Sequence, residues 1–141
     1  MPLTESEIES SPMTDIELIR VATALAGEFK PARTCAAGDV AAAILTRAGR
    51  VYTGICVDAS CSLGFCAEHA AVAEMLKARE SEIEVVVAVD DAGHILAPCG
   101  RCRELMWQVS ARNREARVIL SPDRSVLLRE LLPNHYQDFG V

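Results

Sequence analysis

Aromatic residues are scarce, with Phe 3, Tyr 2 and Trp 1 making 4% of the 141-residue sequence. So few rings offer no repeated platform on which single-stranded nucleic acid could stack. Basic residues are also in deficit. Lys+Arg numbers 14 against 20 for Asp+Glu, a formal charge of −6, the reverse of what a nonspecific polyanion binder carries. No apolar run reaches the roughly 18 residues of a membrane span. The N-terminal segment is acidic instead of basic-then-apolar, so no secretory signal is visible and a cytoplasmic location is expected. Disorder is excluded by a hydrophobic content of 50%. The length suits one domain, expected over residues 14–141 behind a flexible polar tail at 1–13.

Cysteine is what the sequence has in excess, with six at Cys35, Cys56, Cys61, Cys66, Cys99 and Cys102. An even count permits a disulfide framework. A chain long enough to fold without one, and with no secretory mark, fits a reducing compartment and metal binding better.

Thr14 or Asp15 can cap a helix whose apolar residues, from Ile16 to Ala26, recur at helical spacing until Pro31. Residues 32–38 read as a loop. Val40–Leu45 and Val51–Val57, joined by a turn at Ala48-Gly49, read as a strand hairpin. Small polar residues at 58–65 make a loop before an Ala-rich helix from Cys66 to about Arg79. Ile83–Val89 is the strongest strand signal, a continuous apolar run fit for an interior strand. A helix from Cys99 to about Arg112 follows, then short strands at Val118–Leu120 and Val126–Leu128. This order fits an α/β fold with one mixed sheet and helices packed on it.

The chemistry concentrates at two helix starts. Pro98-Cys99-Gly100-Arg101-Cys102 puts two thiols on one side of a first turn, where free N–H groups and the helix dipole favour thiolates. That is half of a zinc site, although the same pair would also serve as a redox couple or be inert. Cys66, 33 residues upstream, supplies a third thiol, and Glu68 follows two residues later. Three protein ligands leave one zinc position open for water, whose pKa the metal lowers. A nearby carboxylate can take that proton and deliver it to a substrate nitrogen. Read alone, Glu68 is equally a first-turn acid favoured by the dipole.

Cys66-Ala67-Glu68 followed by Pro98-Cys99-Gly100-Arg101-Cys102-Arg103-Glu104 resembles the zinc-dependent cytidine deaminase superfamily, in particular the small tetrameric cytidine deaminases and blasticidin-S deaminases. Gly49-Arg50-Val51-Tyr52-Thr53-Gly54 matches the hairpin of that family, and Arg129-Glu130-Leu131-Leu132-Pro133 with Tyr136 resembles its end. The resemblance implies a three-layer α-β-α fold with a mixed five-stranded sheet and a homotetramer. It also implies Zn2+ held by Cys66, Cys99 and Cys102, Glu68 as proton shuttle, and the Ala67 backbone beside the leaving amino group. The reaction implied is hydrolysis of an amino-substituted nitrogen heterocycle to a carbonyl compound and ammonia. Three thiolates leave zinc with net negative charge unless donors offset it. Relatives carry an arginine after the glutamate for this. His69 stands there, so Arg101 or Arg103 is expected to compensate.

The sequence departs from the family at the sugar side. Cys56 and Asp58 occupy the positions of an Asn-x-Glu pair that holds ribose in relatives, and a thiol cannot replace an amide. Gly38-Asp39-Val40-Ala41 replaces an aromatic stretch, Ser62 replaces a ring, and the loop before Cys66 is one residue short. Asp39, Cys56, Asp58, Ala67 and Tyr136 are therefore the candidate substrate contacts, with Phe139 as a possible pocket closure. The expected substrate is a cytidine-like nucleoside or a free nucleobase. An amino-triazine, a base analogue or blasticidin S is the alternative, and an inactive zinc-stabilised module is the non-enzymatic one. Neither a nucleic-acid polymer nor a membrane is expected as partner.

Overall fold

The structure is a computed structural model that describes residues 12–136. The expected tail at 1–13 therefore lies outside it except for Pro12 and Met13, and Phe139 lies outside it as well.

Helix α1 (Asp15–Leu25) opens with a reciprocal cap, in which the Glu17 N–H donates to Thr14 Oγ1 and the Thr14 N–H to the Glu17 carboxylate. Strands β1 (Phe29–Ala32), β2 (Cys35–Thr46) and β3 (Val51–Ala59) follow, then α2 (Ala67–Lys77) and β4 (Ile83–Asp90). A two-residue β5 (Ile95–Leu96) leads to α3 (Gly100–Val109), and a 3₁₀ turn spans Ala111–Glu115. The chain continues as β6 (Arg117–Ser121), β7 (Arg124–Leu127) and the short α4 (Leu128–Leu131).

One mixed sheet has the order β1-β2-β4-β6-β7, with β3 also paired to β2 and β5 to β4. The β4–β6 pair is parallel and the others are antiparallel. Alternation along the interior strands builds a core on each face. Ala43, Leu45, Val85, Val87, Val89 and Ile119 bury one face with Leu18 and Ala22 of α1. Ala42, Ile44, Val86, Ala88 and Val118 bury the other with Ala71, Val72 and Met75 of α2 and Met106 of α3. The three-layer α/β arrangement thus follows from a central strand whose two faces are both apolar.

Three local expectations change. Residues 32–38 are not a loop, because β1 and the start of β2 form a hairpin there. Pro31 is tolerated since β1 is an exposed strand at the sheet edge, where a missing donor costs no ladder bond. The third helix ends at Val109 instead of continuing to Arg112. There Ser110 turns the chain, and buried Asn113 accepts from the Ile83 N–H and donates to the carbonyls of Ser81 and Met106. The sheet also carries β1 and β5 beyond the five expected strands, both too short or too polar to show alternation.

Candidate active site

Both thiol-bearing motifs sit where the chain enters a helix. Cys66 is the N-cap of α2 and Cys99 the N-cap of α3, each with extended backbone and no side-chain capping bond. Their sulfurs are thereby free to face each other across the two helix starts. Cys66 Sγ lies 3.5 Å from Cys99 Sγ, which lies 3.5 Å from Cys102 Sγ. Sulfurs sharing one tetrahedral zinc stand about 3.8 Å apart, so the three thiols fit that ion after a small relaxation. All six cysteines are free thiols.

His69 joins the same cluster. Its Nδ1 is 3.4 Å from Cys102 Sγ, and the ligand atoms of Cys66, His69 and Cys102 all lie within 4.8 Å of one another. This group can hold Zn2+. Burial first, and then the charge of Arg101, keep the imidazole below its ordinary pKa, so the ring is neutral. With its proton on Nδ1 it donates to the Cys102 sulfur.

The two arginines expected at the thiolates are placed differently. Arg103 donates from Nε to the Pro98 carbonyl at 2.8 Å and from Nη1 to the Leu131 carbonyl at 2.9 Å, tying α3 to α4. Its Nε and Nη1 are thus taken up by main-chain acceptors. Arg101 is exposed and lines the cavity mouth. Sequence reasoning took His69 only as the residue standing in place of an arginine, not as a member of the thiol cluster. Its spacing, one turn after Cys66 on the same helix face, was the available signal.

Without metal the cluster resists full ionisation. Burial pushes the Cys102 thiol far up, and the Glu68 charge adds to this. Burial also raises Cys66. At Cys99 burial acts in the same direction but is outweighed by N–H groups of the first helical turn and by the neighbouring thiols, leaving that thiol lowered. A metal that takes all three sulfurs must therefore displace protons.

Cys66 and Cys99 line a cavity of about 560 Å³, within the range of small-ligand pockets. Glu68, at 5% exposure, lines it and makes no hydrogen bond to any described residue. Asp39, Cys56, Asp58 and Ala67 also line it. Asp39 reaches it through a break in the β2–β3 register between Ala37 and Ala41, a bulge of the kind that re-aims side chains next to active sites. The loop after β3 is pinned by paired backbone bonds between Val57 and Phe65, at 3.0 and 2.9 Å. Tyr136 is 69% exposed, gives its N–H to Glu104 and does not line the cavity of its own chain. Trp107 stacks on His135 with ring centroids 4.5 Å apart, and neither lines the cavity. Cys61 is exposed, in left-handed backbone at φ 61.

The profile of the cytidine and deoxycytidylate deaminase zinc-binding region matches residues 12–116. The chain belongs to this family. A cytidine deaminase of Mycobacterium tuberculosis is 33% identical over 128 residues, covering 89% of this chain and 92% of that protein. The crystal structure of a cytidine deaminase from M. tuberculosis superposes with a TM-score of 0.72 at 33% identity, covering 88% of this chain and 98% of the other. One from Burkholderia pseudomallei gives 0.70 at 29%, covering 88% and 100%. Fold, metal cluster and kinship together make this chain a zinc-dependent deaminase. No described helix is long and apolar enough to cross a membrane.

Proposed function

We propose that this deaminase hydrolyses the exocyclic amine of a cytosine-like ring, presented as a nucleoside or a free base, to the carbonyl compound and ammonia. The observation that carries the reading is Glu68, a buried carboxylate without a hydrogen-bond partner that faces a cavity beside three clustered thiols. Such a group is kept unpaired at a cost, which a ligand or water in the cavity relieves. The relatives named as cytidine deaminases support the ring type.

In this reading Cys66, Cys99 and Cys102 hold the zinc, and His69 donates to the Cys102 sulfur. When bound, zinc supplies Lewis acidity and brings the pKa of water toward neutrality. Glu68 accepts the proton that water gives up. It delivers that proton to the ring nitrogen as the water oxygen bonds to the amine-bearing carbon, then takes the remaining proton of that oxygen and passes it to the amino group, so that the carbon–nitrogen bond breaks to release ammonia and the oxygen is left as the carbonyl. The Ala67 backbone lines the cavity next to this acid and orients the amine. Exposed Phe29, Leu63, Phe65 and Leu76 support association of chains into the homotetramer that the family resemblance implies, which light scattering would measure.

The test is ammonia release from cytidine, deoxycytidine, cytosine, 5-methylcytosine, guanine and aminated triazines by protein carrying one zinc per chain. Glu68→Gln is expected to retain the zinc and lower kcat by about 10²–10⁴-fold. Undiminished turnover in that variant removes Glu68 from the mechanism.

A further inference from the structure

The same cavity is also lined by an acidic group that the deamination chemistry does not use. The ligand atoms of Asp39, Cys56 and Asp58 lie within 4.8 Å of one another. The buried Cys56 thiol donates to Asp39 Oδ1 at 2.7 Å and receives the Val40 N–H at 3.4 Å. Burial first, and then the Asp39 bond, hold that thiol above its ordinary pKa, so it remains protonated and keeps donating. Cys56 has no second proton to offer a ligand. What these residues present is the remaining acceptor capacity of two carboxylates.

Neither Asp39 nor Asp58 forms an ion pair with a described residue. The charged side chains lining the cavity are Asp39, Asp58 and Glu68 against Arg101. Two like charges this close, without a cation between them, raise the local negative potential. The nearly buried Glu68 carboxylate, which makes no hydrogen bond to a described residue, faces the same space and marks the cavity as a ligand site. A group entering beside Asp39 and Asp58 must therefore donate hydrogen bonds, and a positive charge gains most there.

Building on the proposed ring deamination, we infer that Asp39 and Asp58 select substrates whose ring carries a cationic, amine-bearing substituent, in place of the neutral sugar of a nucleoside. Cys56 is a positioning residue in this scheme. It fixes Asp39 Oδ1 and leaves Oδ2 for the ligand.

The experiment compares 1-(3-aminopropyl)cytosine with its neutral isostere 1-butylcytosine and the anionic 1-(2-carboxyethyl)cytosine, with cytidine and cytosine alongside, on the zinc-loaded full chain. Expected is a kcat/KM order of cation, then neutral, then anion, with at least about tenfold between the first two at low salt and a smaller ratio at high salt. In the Asp39→Asn/Asp58→Asn protein that ratio falls toward one. The butyl compound measured in the same protein separates lost selectivity from lost folding. Equal use of the aminopropyl and butyl compounds by the unaltered chain, or a preference that survives the double variant, overturns the inference. If cytidine or cytosine is deaminated without any charge order, only this inference fails. If no compound releases ammonia, the proposed reaction fails, and calorimetric binding of the same pair to zinc-loaded Glu68→Gln still decides the charge preference.

Discussion

Gly54 is where the strand layer and the active-site helix touch most closely. A Cβ there would stand 2.3 Å from the Ala71 nitrogen and 2.6 Å from both the Ala67 carbonyl oxygen and Ala70 Cβ. Two of these neighbours are main-chain atoms of α2, which no rotamer change can move. Restoring ordinary contact at 3.4 Å requires β3 and α2 to separate by about 1 Å, a distance a close-packed interior resists. Gly54→Ala should therefore cost about 1–3 kcal/mol or more as overpacking, a fall in Tm of very roughly 2–12 °C for a chain of this size. The metal site should suffer more than the fold. α2 begins at the Cys66 cap, whereas α3 carries Cys99 and Cys102, so a 1 Å displacement of one helix start exceeds the roughly 0.2 Å tolerance of zinc–ligand distances. Thermal melts followed by circular dichroism, with chelator competition for zinc on the folded protein, would measure the two effects separately. A variant with unchanged Tm and unchanged zinc retention would refute the claim that this contact sets the position of α2.

His69→Ala should weaken zinc retention or turnover by about 10–100-fold, as loss of a donor to a ligand does, while His69→Arg restores much of it; chelator competition reads the difference. Asn113→Ala should destabilise by about 3 kcal/mol in urea unfolding, since the Ile83 N–H and the Ser81 and Met106 carbonyls lose their partner in the interior. Asp15 meets Arg117 through two bonds of 2.8 Å, and the Asp15–Arg117 bond first, with the Arg117 charge adding to it, holds that carboxyl below its ordinary pKa. Its stabilisation is present above the unfolded-state pKa and is lost as pH falls through the lowered folded one. Asp15→Asn should therefore cost under about 1 kcal/mol at neutral pH, the pair being partly exposed, and nothing below both values. Unfolding curves for the two proteins that stay apart in strong acid would contradict this.

Legibility varied with how local each signal is. The helix starts at Cys66 and Cys99, the central strand at Ile83–Asp90 and the cap at Thr14 all show in short windows, because caps and apolar runs act over a few residues. The β1–β2 hairpin did not show. Ala36, Ala37 and Gly38 carry no alternation, and their strand state comes from pairing with β3 and β1. Arg101 or Arg103 was expected to offset the thiolate charge because His69 stands where relatives carry an arginine. Which acceptors Arg103 meets did not show in the sequence, since it donates to the carbonyls of Pro98 and Leu131, the second of these 28 residues away.

The order of residues by itself determined the reacting parts, since thiol spacing and a carboxylate two places after the first thiol are properties of one turn of helix. Only the tertiary structure decided that the three sulfurs meet, that His69 attends Cys102, and that Asp39 faces Asp58 across Cys56. These depend on how two helices and a bulged strand pack against one sheet. The distances among the clustered sulfurs and the His69 ring are set by that packing, between residues up to 33 positions apart.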